Sequence, residues 1–251
     1  MFDPFTLTAI AFTFLLAGIV KGVVGMGLPA VSLGLLTILL DLTSAMALML
    51  VPSLVTNIWQ ATVGGYGKGI LTRLWLFYVL AFGAVWIGGH ALVIVDLAIL
   101  SALLGILLVL YGASGLANYG ITIEARREGW IGPSLGFVNG VFTGMTGSFS
   151  FPGVLYLQAL GLKRDELIQA MGILFALSTL GVAVALQSNA LLTVELGMVS
   201  SVGLVPAVLG MYFGQRIRKR LSEETFRRVF LGALVLMGLY IGASASFKYF
   251  S

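Results

Sequence analysis

The sequence predicts an all-α polytopic membrane protein built from two inverted-topology repeats of five apolar segments each. Three observations lead to this fold class. Hydrophobic residues make up 59% of the 251 residues and charged residues only 10%, apolar runs recur along the whole chain, and two of these runs are interrupted by glycine and proline. A soluble domain has roughly 25% charged residues because its surface faces water. This chain cannot cover itself with polar groups, so lipid must face most of its surface.

Ten apolar segments follow one another along the chain. They lie at roughly 5–24, 28–40, 44–63, 71–92, 97–117, 130–149, 153–162, 167–186, 191–213 and 229–247. Most of them reach the ~20 residues that a helix needs to span a bilayer. The second and the seventh are too short, and each follows glycines and lies beside a proline, Pro29 or Pro152. We predict half-helices or re-entrant arms at these two places.

The basic residues are distributed asymmetrically. If the segments alternate across the membrane, twelve of the fourteen lysines and arginines fall in the loops of one face. These residues are Lys68, Arg73, Arg126, Arg127, Lys163, Arg164, Arg216, Arg218, Lys219, Arg220, Arg227 and Arg228. Because cytoplasmic loops carry an excess of lysine and arginine, this face is predicted to be cytoplasmic and both termini to lie outside.

The two halves of the chain match in order, which predicts a duplication. Gly18 and Gly22 correspond to Gly136 and Gly140 at an offset of 118 residues. Further pairs follow at larger offsets: Pro29 with Pro152, Ala45-Met46 with Ala170-Met171, Ser53 with Ser178, and Leu104-Gly105 with Leu231-Gly232. Since each half holds an odd number of segments, the second copy enters from the opposite face, as in many secondary transporters. The predicted division is a first repeat at 1–118, a cytoplasmic linker at 119–130 and a second repeat at 131–251.

Two glycine-rich stretches, 18–29 and 136–152, are the candidate functional elements. Freed backbone groups of an interrupted helix are tolerated at membrane depth only inside protein or in a watery cavity, and its free N–H groups suit an anion. Binding or gating is predicted for the later part of each stretch, and close helix packing is the alternative for the earlier glycines. The predicted residues are Gly25, Gly27 and Pro29 in the first half and Thr143, Gly144, Thr146, Gly147, Ser148, Ser150 and Pro152 in the second.

These stretches resemble the TauE/SafE family, the sulfite exporter group of bacterial membrane proteins. The resemblance is carried by residues 17–27, by residues 143–161 and by the following Gln169-Ala-Met-Gly172. It covers nearly the whole chain, including its length and its duplicated layout. It implies export or exchange of small anions such as sulfite or sulfonates, by a protein of the bacterial inner membrane.

Apart from Arg73 at the start of the fourth segment, Lys21 is the one Lys or Arg inside an apolar segment, where a charge costs about 2.5–3.5 kcal/mol at the bilayer centre on insertion scales. It is a candidate attractor for an anion, and the alternative is that its long side chain reaches the headgroups. Its predicted repeat partner is Asn139. Asn57 and Gln60, three residues apart on one helical face, and Ser178 complete the predicted substrate site. The alternative for each of these polar residues is hydrogen bonding between helices.

The chain lacks the residues that several other chemistries need. It has no cysteine and a single histidine, His90, which excludes thiol catalysis and Cys/His metal clusters. No carboxylate lies in the middle of a segment, which argues against a buried acidic proton relay. A serine–histidine enzyme would need His90 beside Ser148 or Ser150, although these lie in opposite halves. We therefore predict no catalytic residue, no metal, no cofactor and no nucleic-acid partner.

The leading hypothesis is a multi-pass transporter of the bacterial inner membrane that exports a small anion by alternating access. Outward movement of one negative charge is favoured by about 2.3 kcal/mol per 100 mV, so a potential-driven exporter requires no acidic relay. An anion-selective pore and a non-transporting assembly subunit are the alternatives. The substrate, the coupling ion and homo-oligomerisation are left open.

Overall fold

The structure, a computed structural model, describes residues 2–117, 122–218 and 223–250. These residues form eleven helices with no strand among them, which confirms the predicted all-α class. In chain order the helices are α1 (Pro4–Val24), α2 (Leu28–Leu39), α3 (Leu42–Leu48), α4 (Leu50–Thr62), α5 (Gly67–Ile94), α6 (Leu97–Ala117), α7 (Ala125–Thr146), α8 (Gly153–Ala159), α9 (Arg164–Ser188), α10 (Val194–Arg218) and α11 (Glu223–Phe250).

Six of the described helices are long and apolar enough to cross a membrane: α1, α5, α6, α9, α10 and α11. The bent pair α3–α4 counts as a seventh span, and the multi-pass membrane protein is confirmed. Although α7 is 22 residues long, it is not among these spans, because charged residues in its first turns and many glycines lower its hydropathy. With 12 and 7 residues, α2 and α8 are the two short elements that the sequence predicts.

The third predicted segment consists of two helices, α3 and α4, inclined at 46°. The cause is Pro52, which has no N–H and whose ring displaces the carbonyl of Leu48 from the helical hydrogen-bond pattern. Ser200 of α10 bonds to two backbone groups at this bend. Its hydroxyl donates to the Leu48 carbonyl at 2.7 Å and accepts from the Val51 N–H at 3.0 Å. Eleven helices therefore stand where ten segments were predicted.

The helices of the two halves pack in a reciprocal pattern. The most extensive contacts pair α1 with α10, α5 with α7, α6 with α11 and α4 with α9. If α1 corresponds to α7 and α5 to α10, then exchanging the two halves converts the first of these pairs into the second. A two-fold repeat would produce such a pattern, and the inverted-topology repeat itself remains a prediction.

Glycines bring the paired backbones together. A β-carbon at Gly18 would meet a carbonyl of α10, and β-carbons at Gly136 and Gly140 would each meet a carbonyl of α5. These contacts therefore fit the predicted offset of 118 residues and an offset of 122 residues equally well. The glycines that end α1 and α7, Gly25 and Gly147, differ by 122 residues, which favours Gly140 as the counterpart of Gly18, one helical turn beyond the predicted Gly136.

Two other predicted pairings are affected. In a register set by the two caps, Lys21 would correspond to Thr143 and not to the predicted Asn139. On α6 and α11, a β-carbon at Gly105 would lie 2.6 Å from the Gly238 carbonyl oxygen, and one at Gly238 would lie 2.5 Å from the Gly105 carbonyl oxygen. The predicted partner Gly232 has no atom within 4 Å of such a β-carbon, so these mutual contacts favour Gly238 as the counterpart of Gly105.

The predicted linker at 119–130 is shorter in the structure, because α7 begins at Ala125. Glu124 precedes the helix in an extended conformation, and its carboxylate pairs with Arg126 at 2.5 Å and with Arg127 at 3.8 Å. Residues 119–121 lie outside the described residues.

One end of the bundle, which we call the basic end, carries most of the basic residues. Interhelical bonds gather the starts of three helices there. The Arg73 guanidinium of α5 pairs with Glu128 of α7 at 2.6 Å, and the Tyr66 N–H before α5 donates to Gln169 of α9 at 2.8 Å. Of the twelve predicted loop cations, Lys219 and Arg220 lie outside the described residues. The basic end contains Lys68, Arg73, Arg126, Arg127, Lys163, Arg164, Arg216, Arg218, Arg227 and Arg228.

Candidate functional site

The first glycine-rich stretch separates α1 from α2 by a turn of three residues. Gly25 ends α1 with a φ of 83°, and its N–H donates to the Lys21 carbonyl at 2.8 Å. Gly27 precedes α2 with a φ of 103°. Both angles lie in the left-handed region that favours glycine. Pro29 lies in the first turn of α2, where its missing N–H breaks no hydrogen bond, so the predicted interruption is present.

Lys21 lies in the last turn of α1 and is buried, with 4% of its surface exposed. Its ammonium donates to the Asn57 Oδ1 and to the Thr56 hydroxyl, the latter at 3.1 Å. The alternative of a side chain that reaches the headgroups is therefore wrong. Both acceptors are neutral, and none of the buried residues in the described part of the chain is an aspartate or glutamate. The C-terminal dipole of α1 favours a cation by only about 0.3–1 kcal/mol, so the buried charge is largely uncompensated.

Further hydrogen-bond donors lie on α4 beside this ammonium. The Asn57 Nδ2 and the Ser53 Oγ are both buried without a hydrogen-bond partner. Residues four apart share one helical face and lie about 6 Å apart along the axis. Leaving a buried donor unsatisfied costs about 1–3 kcal/mol. An anion beside Lys21 would satisfy these donors and compensate the charge together.

The second glycine-rich stretch begins at Gly147, which ends α7 with a φ of 72°. Five residues, 148–152, then continue without helical structure before α8. Their polar groups bond to the end of α7. The Thr143 hydroxyl donates to the Ser148 carbonyl at 3.1 Å, and the Ser148 N–H donates to the Thr146 hydroxyl at 3.2 Å. This second interruption is longer than the first and satisfies its own polar groups.

Asn139 ties the start of α8 to the middle of α7. Its Oδ1 accepts the Gly153 N–H at 2.9 Å, and its buried Nδ2 has no partner. Pro152 is the residue before α8, and the Ser150 carbonyl accepts the Val154 N–H at 3.0 Å. Asn139, Pro152 and Ser150 thus hold the backbone of the second interruption.

Gln60 joins α4 to α9 at the basic end. Its Nε2 donates to the Ile168 carbonyl at 2.8 Å, while the Nε2 of Gln169 donates to the Ala61 carbonyl at 2.8 Å. These crossed bonds agree with the alternative of helix–helix hydrogen bonding. Gln169 is one of the residues that carry the family resemblance, but it was not predicted as a partner of α4.

The remaining predicted residues fall into two roles. Gly144 packs against the backbone of Val85 on α5, which is the helix-packing role. Ser178 of α9 is fully buried, and its hydroxyl has no partner, like that of Ser53. Thr56 and Ser53 were absent from the predicted site, and the signal that could have found Ser53 is its four-residue spacing from Asn57.

The predicted residues and the side chains or backbone groups that they contact form two groups. The cation group consists of Lys21, Ser53, Thr56 and Asn57, and the brace group consists of Asn139, Thr143, Thr146, Ser148 and Gly153. No hydrogen bond between described residues joins the two groups. The second interruption contacts the neighbourhood of the cation group by packing. Gly147 lies against Met46 of α3 and against Met49, the residue that immediately precedes α4.

His90 is exposed on α5, with its ring 6.2 Å from the ring of Trp86. Ser148 and Ser150 are buried in the second interruption. Between the described residues, no hydrogen bond connects His90 with either serine, so the geometry of a serine–histidine pair is not assembled.

Comparison with protein families gives one match that includes both interruptions. The family model described as sulfite exporter TauE/SafE matches residues 10–241, which is nearly the whole chain. No curated protein and no solved structure matches.

Proposed function

The chain belongs to the sulfite exporter TauE/SafE family, and we propose that it exports a small anion as a secondary transporter, with sulfite and organic sulfonates as the leading cargo. Membership of a transporter family and the six apolar spans support a membrane transporter. Because the family is described as sulfite exporters, sulfite is the first anion to test.

The observation that carries this proposal is the buried and uncompensated charge of Lys21. Its ammonium is held only by neutral oxygens, next to two donors that lack acceptors. A buried charge is normally paired or neutralised, and an anion between α1 and α4 would pair it. Lys21 would supply the charge, while Asn57 and Ser53 would orient the oxygens of the anion.

The glycine-lined contacts between the halves support alternating access. At Gly18, Gly140 and most other glycines of the pairs α1–α10 and α5–α7 the closest neighbours are backbone atoms, although the Phe14 ring packs on Gly203. Such surfaces let packed helices slide past one another. In the proposed cycle, the two interruptions belong to inverted repeats and open the cation group to one side of the membrane at a time.

The charge distribution supports an orientation. We propose that the basic end faces the cytoplasm of a bacterial cell and that both termini lie on the outer side, since basic residues collect on the cytoplasmic side. A membrane potential that is negative inside would then drive an anion outward by about 2.3 kcal/mol per charge and 100 mV.

The test is a flux screen in liposomes containing the purified protein. Sulfite, sulfate, thiosulfate, methanesulfonate, taurine and acetate are compared under imposed potentials, with Lys21→Met beside the wild type. Lys68→Met is the matched control, because it removes an exposed lysine at the same end. We expect saturable flux of at least one sulfur oxyanion that Lys21→Met abolishes and Lys68→Met preserves.

Three results would contradict parts of the proposal. Absence of flux for every anion would favour an assembly subunit. Flux that does not saturate and follows the potential linearly would favour a pore. Full flux in Lys21→Met would remove the cation group from the translocation path.

A further inference from the structure

A small cavity lies at the basic end, directly beyond the first helix interruption. Its volume is about 20 Å³, which is room for one water molecule. Val24 and Met26, which flank Gly25, line one side. Lys21 lies three residues before Val24, about 4.5 Å along the axis of α1. The cavity therefore lies close along the chain to the residue that carries the buried charge.

The polar side chains that line this cavity are mainly hydrogen-bond donors. Arg227 lines it, and the Nε of Arg227 is buried without a hydrogen bond, 3.4 Å from the Glu224 carboxylate in an ion pair. The buried Tyr111 hydroxyl donates to the Met26 sulfur at 3.0 Å, although a thioether is a weak acceptor. Gln158 contributes an amide, and no aspartate or glutamate lines the cavity.

We propose that this cavity is the closed form of a loading site for the anion and that Arg227 recognises the anion there. The inference rests on the proposed function and assigns its cytoplasmic binding step. A guanidinium binds the oxygens of an oxyanion in a bidentate, charge-assisted manner. The Tyr111 hydroxyl would exchange the Met26 sulfur for a stronger acceptor. The ligand class is a small oxyanion such as sulfite.

The cavity must widen before it admits an anion, and the first interruption provides the means. Phe230 lines the cavity and packs on Gly27, where a β-carbon would lie 2.9 Å from the ring. A rotation of the backbone at Gly27 would change its contact with the Phe230 ring of α11, which closes the site. Movement of α2 and opening of the cavity would therefore be coupled.

The cavity at the opposite end differs in charge, which supports this assignment. It is larger, about 310 Å³, and two carboxylates, Asp41 and Asp96, line it together with Lys248. Carboxylates raise the free energy of a bound anion by Coulomb repulsion. The two ends would thus favour loading at Arg227 and release at the opposite end.

The test measures uptake of labelled sulfite into vesicles of both orientations. Inverted vesicles present the basic end to the medium, and right-side-out vesicles present the opposite end. In inverted vesicles we expect Arg227→Gln to raise the KM about ten-fold, equivalent to about 1.4 kcal/mol, with little change in maximal rate. Arg228→Gln is the matched control, because Arg228 pairs with the same carboxylate at 2.9 Å but is 71% exposed. Its KM should change less than about two-fold.

Other results are decisive as well. Arg227→Lys and Tyr111→Phe should raise the KM by smaller factors, which guards against a defect in folding. An unchanged KM in Arg227→Gln, equal effects of Arg227→Gln and Arg228→Gln, or equal effects in both vesicle types would overturn this assignment while wild-type flux upholds the proposed function. Wild-type vesicles that take up no anion would overturn both.

Discussion

The two helix interruptions are built from the same glycine caps but differ in what holds them together. The first closes within three residues, and its buried Lys21 bonds to residues of α4 that lie 35 and 36 positions away in the chain. The second runs through five non-helical residues, and its bonds join positions at most 14 apart. The first is charged and depends on another helix, whereas the second is neutral and self-contained.

This difference assigns different tasks to the two halves. A bond between distant helices breaks when those helices separate, so the cation group can respond to movement of α1 against α4. Bonds within one segment survive such movement, so the brace group can move as a unit. We infer that ligand chemistry is concentrated in the first half and that the second half supplies a stiff wall.

Replacing Lys21 gives the largest expected effect. We expect Lys21→Met to lower sulfite flux at least about 100-fold, equivalent to about 2.7 kcal/mol. The free energy of unfolding should change by less than about 1 kcal/mol, because removal of a desolvated charge offsets the loss of two hydrogen bonds. Efflux rates and denaturation in detergent measure the two quantities. A strongly destabilised Lys21→Met would make the residue structural and remove the contrast between the halves.

Adding a methyl group to equivalent glycines tests the register between the halves. Gly18→Ala and Gly140→Ala should each destabilise the protein by about 1–3 kcal/mol, because both β-carbons would overlap a carbonyl of the partner helix. Gly83→Ala is the control, since nothing lies within 4 Å of its β-carbon and alanine favours helix by up to about 1 kcal/mol. Thermal denaturation would measure all three. A loss of stability in only one of Gly18→Ala and Gly140→Ala would show that these two glycines are not equivalent.

Asn139 tests whether the second interruption is structural. Asn139→Leu leaves the buried Gly153 N–H without an acceptor, which should cost about 1–2 kcal/mol of stability. Asn139→Asp keeps an acceptor for the Gly153 N–H but lacks the side-chain NH₂ group. It therefore separates the effect of this hydrogen bond from the effect of the Asn139 NH₂ group. We expect flux per folded molecule to fall less than about three-fold in Asn139→Leu, far below the effect of Lys21→Met. A flux defect as large as that of Lys21→Met would place Asn139 in the binding site.

The smallest expected effect concerns Asp41, which follows the arm of the first interruption. Its carboxylate caps α3 by accepting from Ser44 and Thr43, whereas Lys163 before α9 has no such side-chain bond. Burial alone would raise the pKa of Asp41, but these bonds outweigh burial and hold the pKa below its ordinary value of 3.8. The stabilisation is therefore present above pH 3.8 and is lost as the pH falls through the lowered pKa.

Melting temperatures measured at a series of pH values check this. Below about pH 4, the wild type should lose melting temperature more steeply than Asp41→Asn. Parallel curves for the two proteins would show that the cap contributes no pH dependence.

Much of the architecture follows from local chemistry and was therefore predictable. The left-handed glycines at 25 and 147 and the short apolar runs after them predict both interruptions. Pro52 is a local signal for the bend between α3 and α4, although one unbroken segment was predicted there. The hydrogen bonds that Ser200 makes across this bend depend on tertiary packing, which no local pattern specifies.

The sequence leaves the register of the repeat open by one helical turn for a physical reason. Gly136, Gly140 and Gly144 recur every four residues, so the pair Gly18 and Gly22 matches either the first two or the last two equally well. All three of these glycines also meet carbonyls of α5, and only the positions of the caps at 25 and 147 favour the later alignment. Burial of Lys21 was predictable, but its acceptors on α4 were not, because they depend on how two distant segments cross.

Ser200 has a mechanical consequence that reaches beyond the bend it repairs. The helix that carries this serine, α10, also packs against α1 through glycines, so one helix contacts both the segment that carries the ammonium and the segment that carries its acceptors. Movement that separates Lys21 from Asn57 would therefore change the contacts of α10 with α1 or with α3 and α4, and the Ser200 hydroxyl makes one of these contacts. The bend at Pro52 and the position of Lys21 are thus coupled through a single helix.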